Sequence, residues 1–262
     1  MPGGDGRTAW PLLTALSLCL STAHAVERYE GVAYAPGTQL IVFRETDWLF
    51  MRDGVAQRLV LYRCPDGKPF GRKWVRETPS AVAPDFDFTD ARDGYREGVR
   101  SGHGAREIFV QENARSPLQV RPLPADPNAV LDAGFDAFVR QHWRELSAGE
   151  SRRIPFLIPS RFEFLDFKIS SARDGLVGTR PVRFLKMGLA AWYAFALPTI
   201  ELTYDRQGTR LQEFQGVSTI RNASGHNQDV RMVFPAEDDH GDIPENEVDH
   251  AAAESLTSTC SP

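Results

Sequence analysis

Lysine and cysteine are both scarce in this chain of 262 residues: 26 of its 30 basic residues are arginine, and there are three cysteines. Long hydrophobic runs are missing too. The longest near the N-terminus, residues 10–20, is about half of the roughly 20 apolar residues that a membrane-spanning helix needs. Signatures of cofactors and nucleophiles are also absent: there is no GxGxxG or phosphate loop, no GxSxG elbow and no HExxH or HxH pair. Dinucleotide and metal chemistry therefore have no support, and neither a cofactor nor a metal is expected. The arginines are dispersed, which gives no basic block for nucleic acid to bind. The densest cluster, Arg72, Lys73 and Arg76 around Trp74, reads as a charged outer strand face that discourages edge pairing.

What is present has the balance of a folded protein, with 42% hydrophobic and 25% charged residues and a net charge of -5. Residues 1–25 have the form of a secretory leader. Arg7 gives a weak positive end, residues 10–20 an apolar stretch, and Ala23-His24-Ala25 a small-x-small cleavage site. Cleavage after Ala25 is expected, leaving a soluble protein in the periplasm or outside the cell. Lipid anchoring would need a small residue before Cys19, where Leu18 stands. Without the leader two cysteines remain, Cys64 and Cys260. An oxidising compartment permits them to pair, but spacing alone does not show that the sulfurs meet. Residues 236–262 carry eight carboxylates and no Lys or Arg, and are expected to form an acidic disordered tail.

Between those ends, residues 26–235 read as one β-rich domain. Residues 39–50 and 55–63 are rich in β-formers and flank Asp53-Gly54, the chemistry of a tight hairpin turn. Turn signals recur at Asp66-Gly67 and Asp93-Gly94, with short apolar segments at 70–76, 85–89, 95–99 and 106–112. Such short connections rule out parallel crossovers and imply an antiparallel meander. Strands resume at 153–158, 161–169, 182–187, 199–204, 210–216 and 229–234. Within 161–169, Phe162 and Phe164 share one face while Leu165, Phe167 and Ile169 share the other. Either both faces are buried or a bulge shifts the register. The apolar run 189–197 fits a short helix or a buried loop equally.

One segment changes period. Phe135, Phe138, Val139, His142, Trp143 and Leu146 recur at helical spacing, predicting an amphipathic helix over 132–146 with Asp132 as N-cap and Gly149 at its end. Sixteen Phe, five Trp and six Tyr are more than one helix can cover. The expected fold is therefore mainly β, a curved antiparallel half-barrel enclosing one helix, whose concave wall is left free for a hydrophobic ligand. Candidate ligand contacts are Phe135, Phe138, Trp143, Phe164 and Phe167. Two other readings compete. A non-enzymatic module of the cell envelope would use the sheet edges and basic surface, and a carboxylate-dependent hydrolase would use Asp85, Asp87, Asp90 and Asp93. No residue is assigned a catalytic role.

The stretch from Asp132 to Arg140, with Leu202-Thr203-Tyr204-Asp205, Arg210-Leu211, Gly216 and Val230 to Pro235, resembles a group of exported bacterial proteins of unknown function. That resemblance covers about residues 29–235 and implies no activity. In architecture, a meander with an enclosed helix is similar to the periplasmic lipoprotein carriers, which hold acyl chains in an incomplete barrel. The likeness implies a lipid or other hydrophobic small molecule as partner, with transient membrane contact on loading.

Overall fold

The computed structural model describes residues 25–102, 104–191, 199–222 and 224–261. Eight strands follow one another first: β1 (Val26–Tyr34), β2 (Ile41–Arg52), β3 (Val55–Arg63), β4 (Pro69–Pro79), β5 (Pro84–Asp90), β6 (Tyr95–Ser101), β7 (Arg106–Gln111) and β8 (Gln119–Pro122). Two short helices, α1 (Gly134–Gln141) and α2 (Trp143–Ser147), separate them from β9 (Ser151–Ile158), β10 (Glu163–Val177), β11 (Arg180–Leu189), β12 (Ile200–Asp205), β13 (Leu211–Arg221) and β14 (Asn227–Val233). The chain then forms β15 (His240–Ile243) and α3 (Glu245–Ala253). The hairpin between β2 and β3 turns where the sequence places it, with Asp53 and Gly54 both at positive φ (53° and 72°), as a tight two-residue turn requires.

All the strands join one open, curved antiparallel sheet. Its order runs from β8 back to β1, crosses to β14, and continues back to β9. Two meanders are thus fused along one seam, where Val32, Ala33 and Tyr34 pair with Val233, Met232 and Arg231. The strand order ends at β8 and β9, and the chain between them is bonded on both sides. Val130 pairs with Phe156 of β9, and the Leu131 N–H donates to the Val82 carbonyl beyond β4.

Curvature brings the β9 end against the other half of the sheet. Leu157 is buried in one cluster with Ile108, Val110 and Leu131, and Phe164 packs on that cluster. Leu165 and Phe167 face the opposite way, toward an open cavity. Both faces of this hairpin are therefore covered at its Leu157 and Phe164 end, while Arg153, Asp166 and Lys168 further along are exposed, and β10 also carries a register shift between Ser171 and Arg173. The run 189–197 lies largely outside the described residues. So do the leader, residues 1–24, and His103.

The helical segment differs from its expected form in two ways. It breaks at His142, whose φ of -103° and ψ of 15° separate α1 from α2. Asp132 does not cap it: the helix begins at Gly134, and the Asp132 side chain is engaged by Lys73 at 2.7 Å instead. A charged donor outcompetes backbone N–H groups for a buried carboxylate. The apolar stripe behaves as its spacing predicts, since Val139 and Leu146 are fully buried among Ile154, Ile169, Leu185 and Leu202.

The larger correction concerns residues 236–262, which do not form a disordered tail. β15 pairs with β1, and α3 lies on the outer face of the sheet, burying Val248 and Ala251 against Trp48, Phe50, Leu59 and Leu61. The acidic residues find arginines there. Glu247 accepts from Arg28 and from the Trp48 indole, both at 2.9 Å, Asp249 from Arg52 at 3.0 Å, and Glu254 from both terminal nitrogens of Arg63 at 2.8 and 2.6 Å. The Cys64–Cys260 disulfide ties the end down, with Cα atoms 5.3 Å apart. Few apolar side chains suffice because the sheet supplies the aromatic half of the contact. Each fully buried aliphatic side chain contributes about 1.5–3 kcal/mol.

A disulfide closing 196 residues of sequence removes much chain entropy from the unfolded state. Replacing Cys260 with serine should lower stability by about 2–5 kcal/mol. Urea unfolding of the two proteins without reductant checks this.

Candidate functional site

The concave face carries an open cavity of about 550 Å³. Its wall is aromatic and aliphatic: Phe43, Phe135, Phe156, Phe167, Phe214 and Phe234 are joined by Leu, Ile, Val and Met residues from β9 to β14. Alternation produces this wall, because one side chain in two along each curved strand points inward. Phe135 and Phe156 meet edge to face at 6.4 Å, as do Phe156 and Phe167 at 6.1 Å.

At one end the wall turns polar. Glu45 and Asp47 of β2, Arg58 and Tyr62 of β3, Lys73 of β4, and Asp132 line the same cavity. Lys73 and Asp132 are an ion pair at 2.7 Å, each side chain 8% exposed. Burial opposes the charge on Lys73, but the groups around it, Asp132 foremost with its charge and hydrogen bond, together outweigh it and raise the ammonium well above its usual range. The ammonium also lies 5.7 Å from the Tyr62 ring and 5.8 Å from the Phe88 ring. Arg58 approaches Asp47 at 3.8 Å. Burial, with the nearby Asp47 charge, raises the Glu45 carboxyl well above the usual carboxylate range. Glu45, Asp47 and Arg58 also line a second cavity of about 370 Å³ beside Arg140 and Arg210. They form a charged partition between an apolar chamber and a polar pocket.

The five candidate contacts fall in four places. Phe135 and Phe167 are at the chamber wall. Phe138 is buried beneath α1, with its ring 4.5 Å from that of His142, and Phe164 packs on the opposite face of β10. Trp143 stacks on Tyr204 at 5.7 Å and lies directly over Gly208. Gly208 has a φ of 71°, and a Cβ there would overlap the indole. Gly208→Ala should therefore cost roughly 1–3 kcal/mol, from left-handed strain together with overpacking, read as a lower Tm.

The polar end was not foreseen from the sequence. A signal was available in β2, where Phe43, Glu45 and Asp47 share one face while Trp48 and Phe50 lie on the other. A strand with aromatic residues on both faces is covered on both, so its carboxyls must be buried. The Arg72, Lys73 and Trp74 cluster is also split by this alternation. Lys73 faces the interior, while Trp74 packs with the outer cluster and Arg72 binds the Glu254 carbonyl.

The acidic set of β5 is used structurally. Asp85 accepts from Arg106 and from the Ser101 N–H at 2.9 Å, Asp87 from Arg96 at 3.1 Å, Asp90 from Arg92 at 2.6 Å, and Asp93 from the Tyr95 N–H at 2.9 Å. Among the described residues, no three His, Cys, Asp or Glu side chains come together as a metal-binding group. Nor is any helix there long and apolar enough to cross a membrane.

No protein-family model matches the chain, and no curated protein does. Three solved structures are similar to it along most of its length. One is a β-barrel-like protein of domain of unknown function DUF1849 from Brucella abortus, at 7% identity and a TM-score of 0.47, covering 85% of this chain and 98% of that one. A DUF1329 family protein from Desulfovibrio piger has 11% identity and a TM-score of 0.28, covering 88% and 92%. A domain from Vibrio parahaemolyticus, named for outer membrane lipoprotein sorting, has 8% identity and a TM-score of 0.26, covering 89% and 92%. Identities this low leave the site to be argued from its own geometry.

Deeper in the same end of the sheet, burial pushes the Glu97 carboxyl up to about 7, although Tyr95 donates to it at 2.7 Å. Unfolded, this group loses its proton near its ordinary value of 4.5. Between 4.5 and 7 the folded chain holds a proton that the unfolded chain has lost, so stability falls as pH rises through that interval and is level above it. Glu97→Gln keeps an acceptor for Tyr95 without the charge. It should add roughly 1–3 kcal/mol at pH 8 and little at pH 4. Urea melts of both proteins at the two pH values check the difference.

Proposed function

We propose that the protein is a carrier or binding protein for a lipid or other hydrophobic small molecule, held against the concave face of the sheet. The observation that carries this reading is the cavity of about 550 Å³, walled by Phe135, Phe156, Phe167 and their aliphatic neighbours and polar at one end. Its volume is that of a site for one small ligand. A concave, largely apolar cleft of this size is the usual form of a site for a hydrophobic ligand. The charged groups at one end fit an amphiphile, whose tail takes the wall and whose head takes the partition.

This reading suits an exported protein. The leader-like residues 1–25 and the Cys64–Cys260 disulfide support a periplasmic or external location, where a carrier meets membranes transiently to load and unload. A role as an envelope module needs no cavity, and three of the four clustered carboxylates, Asp85, Asp87 and Asp90, are paired with arginines.

Mass spectrometry of an organic extract from the mature protein, purified out of a bacterial periplasm, tests the carrier reading. A lipid in near-stoichiometric amount is expected from the wild type. Phe167→Glu, which places a charge in the wall, should come away with at least tenfold less while still unfolding cooperatively. A folded wild type with no extractable ligand, and no uptake from added phospholipid, would sink the reading.

A further inference from the structure

We infer that the chamber takes a single hydrocarbon chain, so that the protein carries one-chain lipids, a free fatty acid or a lysophospholipid, and leaves two-chain phospholipids in the membrane. The inference names the ligand class for the carrier reading and rests on it.

Size is the first observation. A water molecule's share of liquid volume is about 30 Å³, and a methylene group takes nearly the same. The chamber of about 550 Å³ therefore has room for about 18 such groups. One chain of a membrane lipid fills it, and a second of equal length has no place inside.

Confinement is the second. On one flank α1 occupies the concavity, with Phe138 and Val139 buried among Ile154, Leu185 and Leu202, so the chamber stops at Phe135. At the charged end, the neighbouring pocket of about 370 Å³ presents Asp136, Arg140 and Arg210, which gives hydrocarbon no apolar continuation. The wall itself is stiff. From β9 to β14 each strand is laddered to the next, and Phe135, Phe156 and Phe167 meet edge to face, so widening the chamber for a second chain means breaking ladder bonds or parting packed rings.

The remaining side is open, and there a second chain meets water. Each methylene left in water lowers affinity about fourfold. A bilayer covers both chains of a phospholipid, whereas the chamber covers one. Transfer out of a membrane is thus close to balanced for a one-chain lipid and strongly unfavourable for a two-chain lipid with the same head.

The purified protein, stripped of lipid, is incubated with vesicles holding equal amounts of dipalmitoyl phosphatidylglycerol and 1-palmitoyl lysophosphatidylglycerol, re-isolated, and its bound lipid counted by mass spectrometry. The head is constant, so the ratio reports the number of chains. One lysophospholipid per protein is expected, in roughly tenfold or greater excess over the two-chain lipid. In parallel, alkanoates of 10 to 22 carbons displace the fluorescent probe N-phenyl-1-naphthylamine. Their affinity should climb about fourfold per carbon and level off at about 18 carbons, where the chamber is full. Phe167→Ala, which enlarges the chamber, should move that limit to longer chains; the wild-type series stands whether or not the variant folds. Comparing hexadecanoate with the palmitoyl lysophospholipid in the same displacement assay identifies which of the two one-chain classes is preferred. Equal uptake of the two-chain lipid, or affinity that climbs undiminished to 22 carbons, would overturn the single-chain inference and leave the carrier reading standing. A probe that never binds, with no uptake of any lipid, would remove both.

Discussion

The seam between β1 and β14 holds the molecule together as one object. Each meander is built from neighbours in sequence, and either could pair its own strands alone. Only where Val32, Ala33 and Tyr34 meet Val233, Met232 and Arg231 do the halves become one sheet. Continuity across the seam sets the curvature, and curvature creates the chamber: its wall draws on β2 to β4 from one half and on β9 to β14 from the other. Where the ends of the curve approach, the β9–β10 hairpin is covered on both faces.

Inside that curve the chain tolerates a costly arrangement. Two cations and several carboxyls lie away from bulk water, where each uncompensated charge costs several kcal/mol. The protein meets this by pairing Lys73 with Asp132 and setting Arg58 beside Asp47, while burial raises the proton affinity of Glu45. Replacing such a cluster by apolar side chains is often neutral or stabilising in other proteins.

Much of the fold was legible in the sequence because its signals are local. Asp53-Gly54 and Asp93-Gly94 set hairpins, alternation set the strands, and helical spacing from Phe135 to Leu146 set the enclosed helix. The misjudged features depend on partners distant in sequence. Asp132 looks like a cap from its neighbours, but Lys73, 59 residues away, claims it. Residues 236–262 look disordered by composition, since composition cannot count the Trp48 and Phe50 surface that α3 covers or the Arg63 that binds Glu254. The site was half legible. Phe135 and Phe167 were readable as inward apolar residues, whereas Phe138, Trp143 and Phe164 were equally apolar and pack elsewhere. The polar end was hidden, because charged residues on a strand are ordinarily solvent-facing.

The seam also governs when the molecule can come into being. Its strands lie some two hundred residues apart, so closing it is a late and entropically expensive event, whereas the hairpins on either side form between neighbours. During synthesis or passage across a membrane, the first meander must wait with β1 as an unpaired edge until β14 arrives. Exposed edges of this kind invite pairing with other chains. The same late arrival brings α3 over the outer aromatic patch and Cys260 to Cys64, so edge, patch and thiol are all protected by the last quarter of the chain.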